Sequence, residues 1–222
     1  MKFRLRFLAR DTLCYVAATW LSLSAVVCDA RTIELTDLDC DRIAVLSPEA
    51  PLSGWAASEV IAGQFSTSLL DLKVDRVLLM RFPLDRIPAG QRIVRAEWIV
   101  PVDLLAGGGS PKLHVRRIIG PWGKGVCHDF RMRVPKPVPW KQPGAKGVAT
   151  DRAARPTAVA NIVDPGEITI NVTEDVELWN TGAAENQGWL VSVEDPTALV
   201  RLGSPLWTGG GRYKLRITYE PE

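Results

Sequence analysis

Apolar and polar residues alternate with a period of two along several stretches of this chain. The clearest is 77–102, VLLMRFPLDRIPAGQRIVRAEWIVPV. In its first half Leu78, Met80 and Phe82 alternate with Leu79 and Arg81. In its second half Val94, Ala96, Trp98, Val100 and Val102 alternate with Arg95, Glu97 and Ile99. A strand sends successive side chains to opposite faces, so each half reads as a strand with one row turned to a core. Pro88, Ala89 and Gly90 supply the reversal between them, and the segment reads as a β-hairpin at the centre of an antiparallel domain. The same alternation predicts strands at 32–35, 42–46, 59–62, 112–119, 167–172, 188–194, 198–202 and 213–219. Thr173 is placed to cap a short helix, with Glu174 and Asp175 in its first turn and Val176 and Trp179 towards the core. Gly182 ends it. Eight to ten strands and one helix predict an all-β fold, an antiparallel two-sheet β-sandwich of jelly-roll type.

Two segments depart from this pattern. Residues 1–30 carry a basic start (Lys2, Arg4, Arg6, Arg10), an apolar stretch and small residues at Cys28-Asp29-Ala30. That is the layout of a signal peptide cleaved after Ala30, and the apolar run is short for a membrane span. The mature domain is then 31–222, secreted, periplasmic or on the cell surface. The leader holds four of the 27 basic and two of the 25 acidic residues, which leaves 23 of each sign. A near-neutral exported domain is not expected to bind nucleic acid. Cys40 and Cys127 remain in it, either as a disulfide or as two separate thiols.

The second departure is a long loop, about 120–161, rich in Pro and Gly. Between 112 and 155 there are 11 Lys or Arg against only Asp129 and Asp151. Its tryptophans, Trp122 and Trp140, suggest that much of it packs on the sandwich. Trp98, Trp179 and Trp189 fit core positions, whereas Trp55, Trp122, Trp140 and Trp207 lie in loop-like sequence, where an indole either anchors a loop or stacks on a ligand.

The order of motifs resembles a known family. LLMRFPLDRIPAG, RAEWIVPV, Pro121-Trp122, ITINVTEDVELWNTG, NQGWLVSV and YKLRITYEP follow one another as in the DNRLRE-domain family of secreted bacterial proteins. The resemblance covers nearly all of the mature chain, although the string that names the family is absent and Asn171 stands where its members have Asp. It implies a jelly-roll carbohydrate-binding module without catalysis. Candidate ligand-binding residues are Trp122 and Trp140 as stacking platforms, with Arg116, Arg117, Lys124, Arg131, Arg133 and Lys141, and also Arg152, meeting an acidic polysaccharide or cell-surface glycan. The alternative for these cations is pairing with acids such as those at 174–177.

Other chemistry finds little material. A β-sandwich lyase would have to draw on His128, Arg131 and Tyr213, while hydrolase motifs are lacking. His114 reads as a solvated strand residue. Asp37, Asp39 and Asp41 recur at every second position, but Ala44 and Glu49 do not fit a calcium loop, so no metal or other cofactor is expected and structural calcium stays unsupported. The sequon at Asn171 lies within a strand and is set aside. A structural or adhesive surface module with no sugar ligand is the remaining alternative.

Overall fold

A computed structural model describes residues 29–52, 55–56, 69–107, 111–203 and 212–222. The leader up to residue 28, the expected strand at 59–62 and Trp207 lie outside the described residues, as does the side chain of Trp55.

In chain order the elements are β1 (Arg31–Thr36), a 3-10 turn (Asp37–Asp39), β2 (Arg42–Leu46), β3 (Trp55–Ala56), β4 (Leu69–Leu72), β5 (Val77–Arg81) and β6 (Gln91–Gly107). Then follow β7 (Lys112–Arg117), β8 (Phe130–Met132), β9 (Val138–Pro139), β10 (Ala158–Asn161) and β11 (Gly166–Asn171). Helix α1 (Thr173–Asn180), β12 (Trp189–Val193), β13 (Ala198–Gly203) and β14 (Lys214–Pro221) complete the chain. Two antiparallel sheets make a β-sandwich. The first runs β1-β14-β6-β13-β4, with β11 also on β6, and the second runs β10-β7-β12-β5-β2-β3. Among the described residues no helix is long and apolar enough to cross a membrane.

The core lies between the sheets, and the alternating rows locate it well. Leu78, Met80 and Phe82 meet Ala96, Trp98, Val100, Leu215 and Ile217 there. Trp98 from the first sheet stacks on Trp189 from the second, centroids 5.2 Å apart, and Trp179 of α1 leans on Trp189. Gly188 enters β12 with φ +77°, and a Cβ there would sit 2.3 Å from the Met80 carbonyl oxygen. Only glycine permits that approach of β12 to β5.

Three expectations need correction. The segment 77–102 is not a hairpin: β5 pairs with β2 and β12 in the second sheet, and β6 belongs to the first. Residues 82–90 form an arch between sheets. Both arrangements turn the same rows inward, so the period of two does not distinguish them. Val94 points outward, with Ile93 buried in its place. A bulge sets Thr218 opposite Arg95 but Tyr219 opposite Ile93, which makes Val94 the extra residue and reverses the phase. Finally, the Thr173 hydroxyl does not cap α1. It accepts from the Ala96 N–H at 2.9 Å and fastens the helix start to β6.

Candidate functional site

The uninterrupted apolar run of β5 requires burial on both faces. Val77 and Leu79 point away from the main core, with Ala44 and Leu46 of β2, Leu190 of β12 and Ile118. Trp122, Val126, Trp140 and Ala145, all from 120–152, cover this outer face as a cap with its own small core. Each buried indole finishes its hydrogen bonding locally: Trp122 Nε1 donates to the Gln187 carbonyl at 2.8 Å, and Trp140 Nε1 to the Cys127 carbonyl at 2.9 Å. Arg42 donates to the Trp122 carbonyl at 2.6 Å and lies over its ring.

Asp151 organises the cap. Its buried carboxylate accepts the backbone N–H groups of Lys141, Gln142 and Gly147, each at 3.0 Å. A Cβ at Gly147 would come within 2.4 Å of that carboxylate, so glycine is required there. Three donors on one carboxylate make a strong local hub.

The cap ends part-way across the sheet, and beyond it the outer face is polar. His114 and Arg116 alternate with the core residues Leu113 and Val115 on β7, and Ser192 stands directly opposite His114 on β12. Arg152, the last turn of the cap, bridges to Ile118 and so shares this face. Glu194 follows β12. Arg116 donates through Nη2 to Glu194 at 2.7 Å and through Nη1 to the Ala154 carbonyl at 3.0 Å, which leaves its Nε–H free.

Seven buried side-chain nitrogen or oxygen atoms among the described residues have no hydrogen-bond partner. Four of them are His114 Nδ1, Arg116 Nε, Arg152 Nε and Ser192 Oγ. His114 Nδ1 lies 3.5 Å from Glu194 Oε1, a contact too poor to count as a hydrogen bond. Ser192 is only 3% exposed. Buried donors normally find partners, so four idle polar atoms on one small face single it out as the candidate site.

The electrostatics agree. Desolvation lowers the Arg152 pKa, and the neighbouring Arg116 charge adds to it, against opposition from Glu194 and Asp151. Desolvation also lowers the pKa of His114; Glu194 opposes this, while Arg116, Lys112 and Arg152 reinforce it. Burial pushes the Glu194 carboxyl up, but the Arg116 hydrogen bond and the charges of His114, Arg116 and Arg152 outweigh it and hold it below the usual range. The face is therefore cationic, with one ionised carboxylate among its cations.

The structure separates the residues that the sequence grouped. Trp122 is 1% and Trp140 4% exposed, so neither offers a face for stacking; both anchor the cap. Arg117 points to the other side of β7 from Arg116 and pairs with buried Asp175 at 2.9 Å. That carboxylate also accepts from Trp189 Nε1 and Thr157 Oγ1, and desolvation nevertheless raises its pKa. Lys124, Arg133 and Lys141 are exposed on the cap, and Arg131 is half-buried within it. His114 is half-buried rather than solvated.

His128 bonds Asp129 in the cap, whereas Tyr213 lies fully buried in the main core and donates to the Gly203 carbonyl, so His128, Arg131 and Tyr213 do not form one site. Cys40 and Cys127 are both free thiols. Cys40 packs on the main core and Cys127 is buried in the cap, on the other side of the second sheet. The three early aspartates are also dispersed: Asp37 is buried and bonded to Arg212, Asp39 bonds the Thr36 N–H, and Asp41 pairs with Arg81. They sit on a 3-10 turn and its flanks.

A groove of about 540 Å³ runs between the 82–90 arch and α1; Trp179 Nε1 on its wall has no hydrogen-bond partner, but three of its polar side chains are occupied. Arg81 bonds Asp41, Asn180 the Gln91 carbonyl and Asn186 the Phe82 carbonyl. No protein-family model matches the chain, and neither does any curated protein.

Of the polar face, sequence reasoning singled out Arg116 and Arg152 and missed Ser192, Glu194 and the role of His114. The available signal was the outward phase of KLHVRR and WLVSVE, each carrying polar residues.

Proposed function

We propose that this protein is a non-catalytic, exported module that binds acidic polysaccharide on the open face of its second sheet. The DNRLRE-type order of motifs supports a carbohydrate ligand. The observation that carries the reading is the cluster of unpaired buried polar atoms on His114, Arg116, Arg152 and Ser192. Hydrogen bonds from a charged guanidinium to an oxyanion contribute ~1.5–3 kcal/mol each. One such site holds a single acidic group weakly, and a polymer with repeated acidic groups raises retention through multivalency. Exposed Lys124, Arg133 and Lys141 on the adjoining cap would attract the chain over a longer range.

Affinity electrophoresis against polygalacturonate, dextran sulfate and neutral dextran tests this. Retardation by the two acidic polymers is expected, weakened at high salt and lost in Arg116→Ala and Arg152→Ala. Equal mobility in all three gels would remove the glycan reading and favour a structural surface module. New unsaturated ends in polygalacturonate would indicate a lyase instead.

A further inference from the structure

We propose that the open face takes up its oxyanion together with one proton on His114, so that binding tightens as pH falls. This rests on the reading of that face as an anion site and adds its regulation.

The groups facing His114 come from three places. Lys112 and Arg116 flank it on β7, Glu194 follows β12, and Arg152 reaches it from the cap. Burial first, and then Arg116, Lys112 and Arg152 against the opposition of Glu194, lower the pKa of the free imidazole, so it gives up its proton more readily than an ordinary histidine. Its Nδ1 is buried, without a hydrogen-bond partner, opposite the equally unpaired Ser192 hydroxyl. A neutral ring offers one N–H and one lone pair, and the lone pair would face an incoming anion unfavourably. A protonated ring offers two donors. An oxyanion seated between Arg116, Arg152, Ser192 and His114 adds negative charge beside the imidazole and favours the proton. By linkage, the proton favours the anion by the same factor. Glu194 cannot carry this effect near neutral pH, because the cations around it hold its carboxyl ionised.

The test uses the full chain with inorganic sulfate and dextran sulfate, neither of which titrates between pH 5 and 8. A coupling of one pH unit corresponds to a factor of ten, so affinity should fall about ten-fold between pH 5.5 and pH 8 at constant ionic strength. The chain has only two histidines; His114→Gln therefore leaves a single imidazole signal in NMR and identifies the other. Sulfate should raise the titration midpoint of His114. His114→Gln should bind dextran sulfate with no pH dependence, and Arg152→Ala should bind at neither pH. A pH dependence that persists in His114→Gln, or equal affinity at both pH values, would overturn the coupling and leave the anion site standing. Absence of dextran sulfate binding at pH 5.5 and pH 8 alike would overturn the site as well.

Discussion

The outer face of the second sheet has two halves built from the same strands and used in opposite ways. Ile118, just past β7, and Leu190 of β12 lie under the cap with Trp122 and Trp140, while Arg116 and His114 of β7 and Ser192 of β12 lie beyond it. Four residues along a strand, roughly 13 Å, separate Ile118 from His114. Under the cap, both indole nitrogens are bonded, and the buried Asp151 carboxylate is satisfied by three backbone N–H groups. Beyond it, four polar atoms stay unpaired. A chain selected for stability alone would treat both halves alike. The difference shows where local consistency gives way, and that is where function is to be sought.

The sharpest way to break this contrast is Trp122→Ala. Removing a fully buried indole from the cap core should cost ~3–5 kcal/mol, and Trp140→Ala should cost a similar amount. Urea denaturation would show both as lowered midpoints. A cost under ~1 kcal/mol would mean that the cap merely rests on the sheet, and the distinction between the halves would disappear.

Asp151→Ala comes next. It leaves the N–H groups of Lys141, Gln142 and Gly147 without their acceptor, each loss costing ~1–3 kcal/mol at most and not additively. We expect ~2–4 kcal/mol overall, with faster hydrogen exchange at those three amides. Unchanged exchange would show that the cap is held by its indoles alone.

These two substitutions also show how far the sequence could be read. Alternation in 77–102 identified the strands and, apart from Val94 at the bulge, their inward rows, since burial of one face is a local property of the pattern. It could not identify partners: an arch and a hairpin present the same rows to the core. The unbroken VLLM of β5 and WLV of β12 did carry a further message, that both faces of the second sheet are covered. With that constraint, Trp122 and Trp140 become the natural covering residues and not stacking platforms. The binding face was legible only as outward-phase polar residues. Its assembly depends on the pairing of His114 with Ser192 and on the bridge from Arg152 to Ile118, which are long-range registers with no local signature.

On the open half, substitutions should affect binding far more than folding. Ser192→Ala removes a buried hydroxyl that has no partner, so stability should be unchanged or slightly higher, within ~1 kcal/mol. Dextran sulfate affinity should nevertheless drop several-fold. Stability loss comparable to that of Trp122→Ala would make Ser192 a structural residue and merge the two halves into one core.

The smallest effect is the pH dependence of stability, and it sharpens the contrast because the open half holds a histidine whose pKa is lowered on folding. Desolvation holds His114 below its ordinary value in the folded chain, with Glu194 opposing and Arg116, Lys112 and Arg152 reinforcing. Above the unfolded pKa of about 6.5 both states carry neutral imidazole, and no contribution arises. As pH falls through that value the unfolded chain takes up a proton first, so stability declines until the folded His114 protonates too. The difference between the wild type and His114→Gln isolates this term, since every other group is common to both. That difference should move against the wild type as pH falls from 7 to 5. Saturating sulfate should reverse it, because the ligand-bound folded state then holds the proton more tightly than the unfolded chain does. A difference flat with pH in both conditions would mean that His114 titrates on the folded protein as it does in the unfolded chain.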